Sequence, residues 1–197
     1  KTASMSPDVS NPAYRAVTYK DVYKAYKEQV EAIAGAGVDL FVIETMMSIQ
    51  ECRAAVLAVK ETTDLPVFVT ITLEENGRTL YGTDPVTALI TMEALGVDAF
   101  GINCSCGPDA LVPIVKEMAA YARIPLIVKP NAGLPVLVDG KTVFDMRKEE
   151  FAAHMKALVE AGASVVGGCC GTDASYIAAM AEMIPLRKRM KHTGPVQ

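Results

Sequence analysis

Three times the chain passes from an amphipathic stretch through a glycine into a short apolar run. Gly37-Val38-Asp39 leads into LFVIE, Gly96-Val97-Asp98 into AFGIN, and Gly162-Ala163-Ser164 into VVGG. Glycine enters the left-handed conformation that ends a helix without the steric cost of a Cβ. Each unit therefore reads as helix, glycine cap, short loop and buried strand. Two further apolar runs, PVFVTITL (66–73) and PLIVKP (125–130), lie between helical stretches. Their length and their Val and Ile content suit buried strands.

Helix starts carry their own signals. Thr18 with Asp21, and Ser48 with Glu51, have the spacing of a capping box. Asp84 followed by Pro85 is an N-cap with proline in the first turn. The pattern predicts helices near 19–35, 48–61, 85–95, 109–122, 148–161 and 174–184, and strands near 39–44, 66–72, 98–103, 125–130 and 164–167. Strand starts fall about 27 to 39 residues apart, the length of a βα unit, and such alternation implies a parallel α/β sheet. A complete eightfold barrel typically needs about 250 residues, and this chain has 197. Two architectures remain: an open α/β sheet, or an incomplete barrel made of the five C-terminal units of a (β/α)8 TIM barrel. The polar, irregular opening and the initial Lys1 point to the second. The expected layout is a single domain over 1–197, with a lead-in at 1–17, βα units at 18–184 and a tail at 185–197.

Composition narrows the function classes. Hydrophobic residues make up 51% and charged residues 21%, with a net charge of −4. Affinity for a polyanion rests on a basic surface, so nucleic acid is not an expected partner. The one basic cluster, Arg187, Lys188, Arg189 and Lys191, reads as a solvated tail. No stretch approaches the roughly 20 apolar residues that span a bilayer, so no membrane is expected. The opening KTASMSPDVSNPAYR has no apolar core of a signal peptide. Five cysteines, two of them adjacent, do not make a disulfide framework. A reducing, cytoplasmic setting with metal-binding or catalytic thiols fits them.

In parallel α/β folds, reactive groups collect at the C-terminal ends of strands. Those ends carry Glu44-Thr45, Thr72, Asn103-Cys104, Lys129-Pro130-Asn131 and Gly167-Gly168-Cys169-Cys170-Gly171. Neighbouring side chains on a strand point to opposite faces, so Cys169 and Cys170 converge only where the backbone turns. The flanking glycines permit that turn. With Cys104 from another strand, three thiolates could surround one Zn²⁺ and leave a fourth position open, as in a catalytic site. The competing reading is a set of small buried thiols. Cys52 reads as core and Cys106 as packing. Asn103 reads as a turn residue with a side-chain-to-backbone bond, and Glu44 as a strand-end carboxylate that caps the next helix or forms an ion pair. His154 reads as a helix-surface or packing residue and His192 lies in the tail, so a Cys–His dyad has no obvious partner. A redox pair would normally be spaced Cys-x-x-Cys.

The segments IET (43–45), GRTLYG (77–82), GINCSCGPD (101–109), KPNAGLP (129–135) and GGCCGT (167–172) resemble the homocysteine S-methyltransferase family. The likeness runs from about 19 to 184 and is greatest to the branch containing cobalamin-dependent methionine synthase. It implies a TIM barrel, with residues 39–184 as strands four to eight, and zinc-dependent methyl transfer to the thiol of homocysteine, giving methionine. It implies Cys104, Cys169 and Cys170 as zinc ligands. It places Asn131 beside the metal and Glu44 on the amino group of homocysteine. The candidate donors are methylcobalamin, a methylated sulfonium or a betaine-type ammonium, and the likeness to the methionine-synthase branch favours methylcobalamin in a methylcorrinoid/methyltetrahydrofolate system, bound elsewhere. The family's first strand, with its Gly-rich substrate loop, and its second and third units have no counterpart here. Exposed sheet edges would then favour self-association or membership of a longer chain. Two alternatives stay open: a corrinoid-linked methyltransferase fragment with another thiol acceptor, and a non-catalytic zinc-binding module.

Overall fold

The computed structural model describes residues 5–184. The main sheet contains β1 (Phe41–Met46), β2 (Val67–Ile71), β3 (Ala99–Cys104), β4 (Leu126–Pro130) and β7 (Ala163–Val166). All neighbours pair in parallel, in the order β1-β2-β3-β4-β7. Between and around them run α1 (Tyr19–Ala34), α2 (Ile49–Lys60), α3 (Pro85–Ala94), α4 (Pro108–Ala119), α5 (Lys148–Ala161) and α6 (Ala174–Met183). An antiparallel hairpin, β5 (Pro135–Val138) and β6 (Lys141–Phe144), stands apart from the sheet.

The helices begin where their caps lie. Thr18 Oγ1 accepts from the Asp21 amide at 3.2 Å, and Asp21 Oδ2 accepts from the Thr18 amide at 3.0 Å. Ser48 accepts from the Glu51 amide, and Asp84 from the Thr87 amide at 2.9 Å. Each such cap contributes about 1 kcal/mol by satisfying an orphan donor. α5 ends at Gly162, whose φ of 125° suits only glycine, and a Cβ there would press on Ala119 of α4.

Strand order decides between the two architectures. The order never reverses, and right-handed crossovers then set every helix on the same face of the sheet. A doubly wound open sheet, with helices on both faces, is excluded. The arc matches consecutive strands of a βα barrel, and the barrel is not closed.

Register separates the two faces. Phe41 and Ile43, then Val67, Val69 and Ile71, then Phe100 and Ile102, then Leu126 and Val128 share the helix-covered face. They pack with Leu89, Leu111, Met118, Phe151, Met155 and Leu158 from the helices in one hydrophobic core. Full burial of each such side chain contributes roughly 1.5–3 kcal/mol. On the opposite face β3 carries only small or polar residues, Ala99, Gly101 and Asn103, and β2 places Thr70 beside Gly101. A Cβ on Gly101 would fall on the Ile127 carbonyl, so only glycine lets β3 and β4 approach there.

Three expectations need correction. β1 starts two residues later than 39–44 and runs on to Met46, because a bulge between Ile43 and Met46 lets the Met46 carbonyl accept from Thr72 at 3.0 Å. Glu44 therefore lies within the strand, and Thr45 carries the bulge. α4 stops at Ala119 rather than 122. The β5–β6 hairpin, absent from the predicted strands, is closed by Asp139 (φ 50°) and Gly140 (φ 73°), the left-handed pair of a tight two-residue turn. The basic cluster 187–191 and His192 lie outside the described residues. No helix among those residues is long and apolar enough to cross a membrane.

Candidate metal centre

The C-terminal ends of β3, β4 and β7 meet at one rim. Cys104 closes β3 with φ 58°, and Ser105 follows at 65°. This left-handed pair turns the chain sharply at the strand end. Ser105 Oγ accepts from the Leu73 amide at 2.8 Å and donates to the Asn103 carbonyl at 3.1 Å, bracing the turn.

After β7, the backbone keeps its grip on β4 for a few residues. Gly167 donates to the Val128 carbonyl at 3.2 Å and Cys169 to the Pro130 carbonyl at 2.8 Å. The chain then turns: Thr172 donates to the Cys169 carbonyl through its amide at 3.1 Å and through its hydroxyl at 2.7 Å. Gly171 sits at φ 80°, and a Cβ there would enter the Phe144 ring; one on Gly168 would meet Thr172. Glycine is required at both places, by conformation at the first and by space at both.

This turn brings the adjacent cysteines together. Cys104 Sγ lies 3.3 Å from Cys169 Sγ and 3.5 Å from Cys170 Sγ, and all three sulfurs fall within 4.8 Å of one another. All are free thiols; Cys104 and Cys169 are half-buried and Cys170 is exposed. Cys104 is pushed up to about 12, first by desolvation and then by its hydrogen bonds to Cys169 and Cys170. Desolvation also opposes ionisation of Cys169, but its hydrogen bonds with Cys104 and Asn103 outweigh it and hold this thiol below its usual range. Of these two, Cys169 is the sulfur whose surroundings favour the thiolate.

The other predicted residues fall in different places. Asn131 is 7% exposed, and its Oδ1 accepts from the Cys170 amide at 3.1 Å, while its own amide donates to the Cys106 carbonyl at 3.2 Å. It sits beside the thiol cluster and braces it through the backbone. Glu44 forms an ion pair with Lys129 of β4, across two intervening strands. Cys106 is half-buried, raised by desolvation, and outside the thiol cluster. Cys52 is fully buried on α2, where desolvation pushes it up to about 12. His154 is half-buried on α5.

Sequence reasoning assigned no role to Lys129 and misread Asn103. Asn103 belongs to no turn: it is a buried strand residue whose side chain reaches Thr45, Thr70 and Cys169. The available signal was parity. As the residue before Cys104, it must face the side of the strand opposite to that of Ile102. Lys129 shares that face through its pairing with Asn103.

Residues 1–184 match the family model described as homocysteine S-methyltransferase. Methionine synthase from Mycobacterium leprae is 35% identical over 187 residues, which covers 92% of this chain and 16% of that protein. Its counterpart from Mycobacterium tuberculosis is 34% identical over 192 residues, covering 94% and 16%. The chain therefore spans about a sixth of the length of the curated relatives it matches. Among solved structures, the apo form of the homocysteine methyltransferase MmuM from Escherichia coli gives a TM-score of 0.71 at 23% identity, over 87% of this chain and 59% of that one. The metallated form of the same protein gives 0.66, also at 23%, over 86% and 54%. At that identity the structural likeness speaks for the fold.

Proposed function

The chain belongs to the homocysteine S-methyltransferase family, and from that premise we propose that Cys104, Cys169 and Cys170 hold a zinc ion and that the domain methylates the thiol of homocysteine, giving methionine. The observation that carries the reading is the convergence of three thiols, from the ends of two strands 65 residues apart, within 4.8 Å of one another.

The donor set fits the metal. Zinc–thiolate bonds of about 2.3 Å in a tetrahedron put the sulfurs roughly 3.8 Å apart. The observed 3.3 and 3.5 Å need only small side-chain adjustments to reach that spacing. Three protein sulfurs would hold the ion and would leave a fourth position open to a substrate thiol. When bound, zinc supplies Lewis acidity that keeps a coordinated thiol ionised, and hence nucleophilic, at neutral pH.

The chain's own residues do the holding and orienting. Asn131 fixes the backbone of Cys170, so the more exposed of the adjacent sulfurs keeps its direction. Glu44 offers a carboxylate for the ammonium of the amino-acid substrate. It is already neutralised by Lys129, so a substrate ammonium binds by sharing or displacing that cation. The methyl donor we assign is a methylcorrinoid carried by a separate module; this chain covers 16% of the matched methionine synthases, which leaves length for one. The homocysteine thiol gives up its proton to water, its sulfur attacks the methyl carbon in line to form the S–C bond, and the bond from that carbon to the donor breaks with its electron pair leaving on the donor.

Metal analysis together with a methyl-transfer assay tests this reading. We expect one zinc per chain in the purified protein, lost in Cys104→Ser, Cys169→Ser and Cys170→Ser and retained in Cys106→Ser. Stoichiometric zinc in Cys169→Ser, or loss in Cys106→Ser alone, overturns the ligand set. Zinc binding without any homocysteine methylation, with the donor module supplied, assigns a non-catalytic zinc module instead.

A further inference from the structure

Asn103 is 0% exposed, and its side chain uses its full hydrogen-bonding capacity. Its Oδ1 accepts from the Thr45 amide at 3.0 Å and from the Thr70 hydroxyl at 2.7 Å. Its Nδ2 donates to Thr45 Oγ1 at 2.6 Å and to Cys169 Sγ at 3.7 Å. The amide cannot be flipped without loss, because the Thr45 N–H is only a donor and must face oxygen. The N–H groups are therefore directed at Thr45 Oγ1 and at the sulfur.

The residues it touches are the strained ones. Four non-glycine residues have positive φ among the described residues: Thr45 (60°), Cys104 (58°), Ser105 (65°) and Asp139. Asp139 belongs to the hairpin turn. The other three are Asn103's neighbours, two by sequence and Thr45 through two hydrogen bonds. A β-branched residue such as Thr45 enters this region only when surrounding bonds hold it there, at a cost of about 1–3 kcal/mol. Asn103 supplies two of those bonds. One side chain thus ties the strained end of β1, next to Glu44, to the sulfur of Cys169.

We propose that Asn103 is a positioning residue, which aims Cys169 through the Nδ2–H···Sγ bond and locks the end of β1, holding the thiol cluster and Glu44 in one register. This inference rests on the metal reading above. A hydrogen bond to a ligand sulfur restrains its orientation and draws charge from it, as outer-shell donors do at metal sites generally. Being neutral, the amide does this without adding charge to the centre.

The test uses the whole chain, titrated separately with Zn²⁺ and with Co²⁺, whose sulfur-to-metal charge-transfer absorption reports on each ligand sulfur. Asn103→Asp keeps the shape and the Oδ1 acceptor but replaces the N–H donor with an acceptor. We expect zinc affinity to fall roughly 10- to 100-fold and the cobalt charge-transfer band to shift. Thr70→Val removes only the Thr70 bond to Asn103. It is expected to lower the unfolding midpoint and leave the band and the zinc affinity in place. Wild-type affinity and an unshifted band in Asn103→Asp overturn the proposal. If that variant does not fold, the wild type loaded with a spin-active cadmium isotope decides. Through-bond coupling between the Asn103 side-chain amide protons and the metal is expected, and its absence overturns the proposal. A wild-type chain that binds neither zinc nor cobalt sinks the metal reading itself, and this inference with it.

Discussion

The same strands present two unlike regions. Their helix-covered face is dry and regular: Val67, Val69, Ile71, Phe100, Ile102 and Leu126 are all at most 2% exposed. Their C-terminal rim is polar and strained, with Thr45, Cys104 and Ser105 at positive φ and thiols that are half-buried or exposed. The contrast shows a division of labour. Burial on one face supplies the free energy that tolerates unfavourable conformations on the rim. The cysteines do not divide along this line: desolvation pushes core Cys52 and rim Cys104 alike up to about 12, and only at Cys169 do hydrogen bonds outweigh it.

If the division holds, damage to one region should leave the other readable. The largest effect is expected from Phe100→Ala, at about 3–5 kcal/mol of stability from lost burial and cavity formation. Urea unfolding measures it, and the fraction still folded should bind zinc with unchanged stoichiometry. Zinc loss in that folded fraction would show that the two regions are not separable. Cys169→Ser should do the reverse, removing most of the bound zinc while moving the metal-free unfolding midpoint by less than about 1 kcal/mol. Because the ligands must be deprotonated, zinc loading of the wild type should also fall as pH drops.

The buried thiol offers a pH test. In the folded protein Cys52 keeps its proton to about 12, whereas the unfolded chain releases it near 9.0. Folding stability from this group is complete below pH 9.0 and is lost as pH rises toward 12. Subtracting the urea midpoints of Cys52→Ala from those of the wild type should isolate a falling slope over that window. A flat difference would mean that Cys52 is not desolvated in solution. The smallest effect belongs to the hairpin. Leu137 of β5 is 76% exposed, and Leu137→Asn should change stability by no more than about 0.5 kcal/mol, with zinc binding intact. A larger loss would assign the hairpin to the rim's supporting structure.

Local chemistry made much of this legible. Thr18, Ser48 and Asp84 stand as N-caps where their spacing implied, and Gly96 and Gly162 take positive φ after α3 and α5. The grouping of Cys104, Cys169 and Cys170 was readable because strand ends in parallel folds share one rim and glycines mark the turn. The hairpin was legible in principle, as Asp139-Gly140 between two apolar runs. It was masked by the expectation that every strand in this chain belongs to a βα unit. The partners of Glu44 and Asn103 were not legible. Lys129 lies 85 residues from Glu44, and Thr45 lies 58 from Asn103.

Sequence alone determined the helices, the five strands of the parallel sheet and the residue types near each strand end, because capping, glycine conformation and apolar periodicity act over a few neighbours. Tertiary structure alone decided three matters. The unreversed strand order put all the helices on one face. The bulge at Glu44-Thr45 shifted β1 and turned Thr45 toward Asn103. The close packing of β3 against β4, which Gly101 permits, brought the cysteine rim together. Each depends on pairing between segments far apart in the chain, and no local preference encodes which distant backbone a strand will meet.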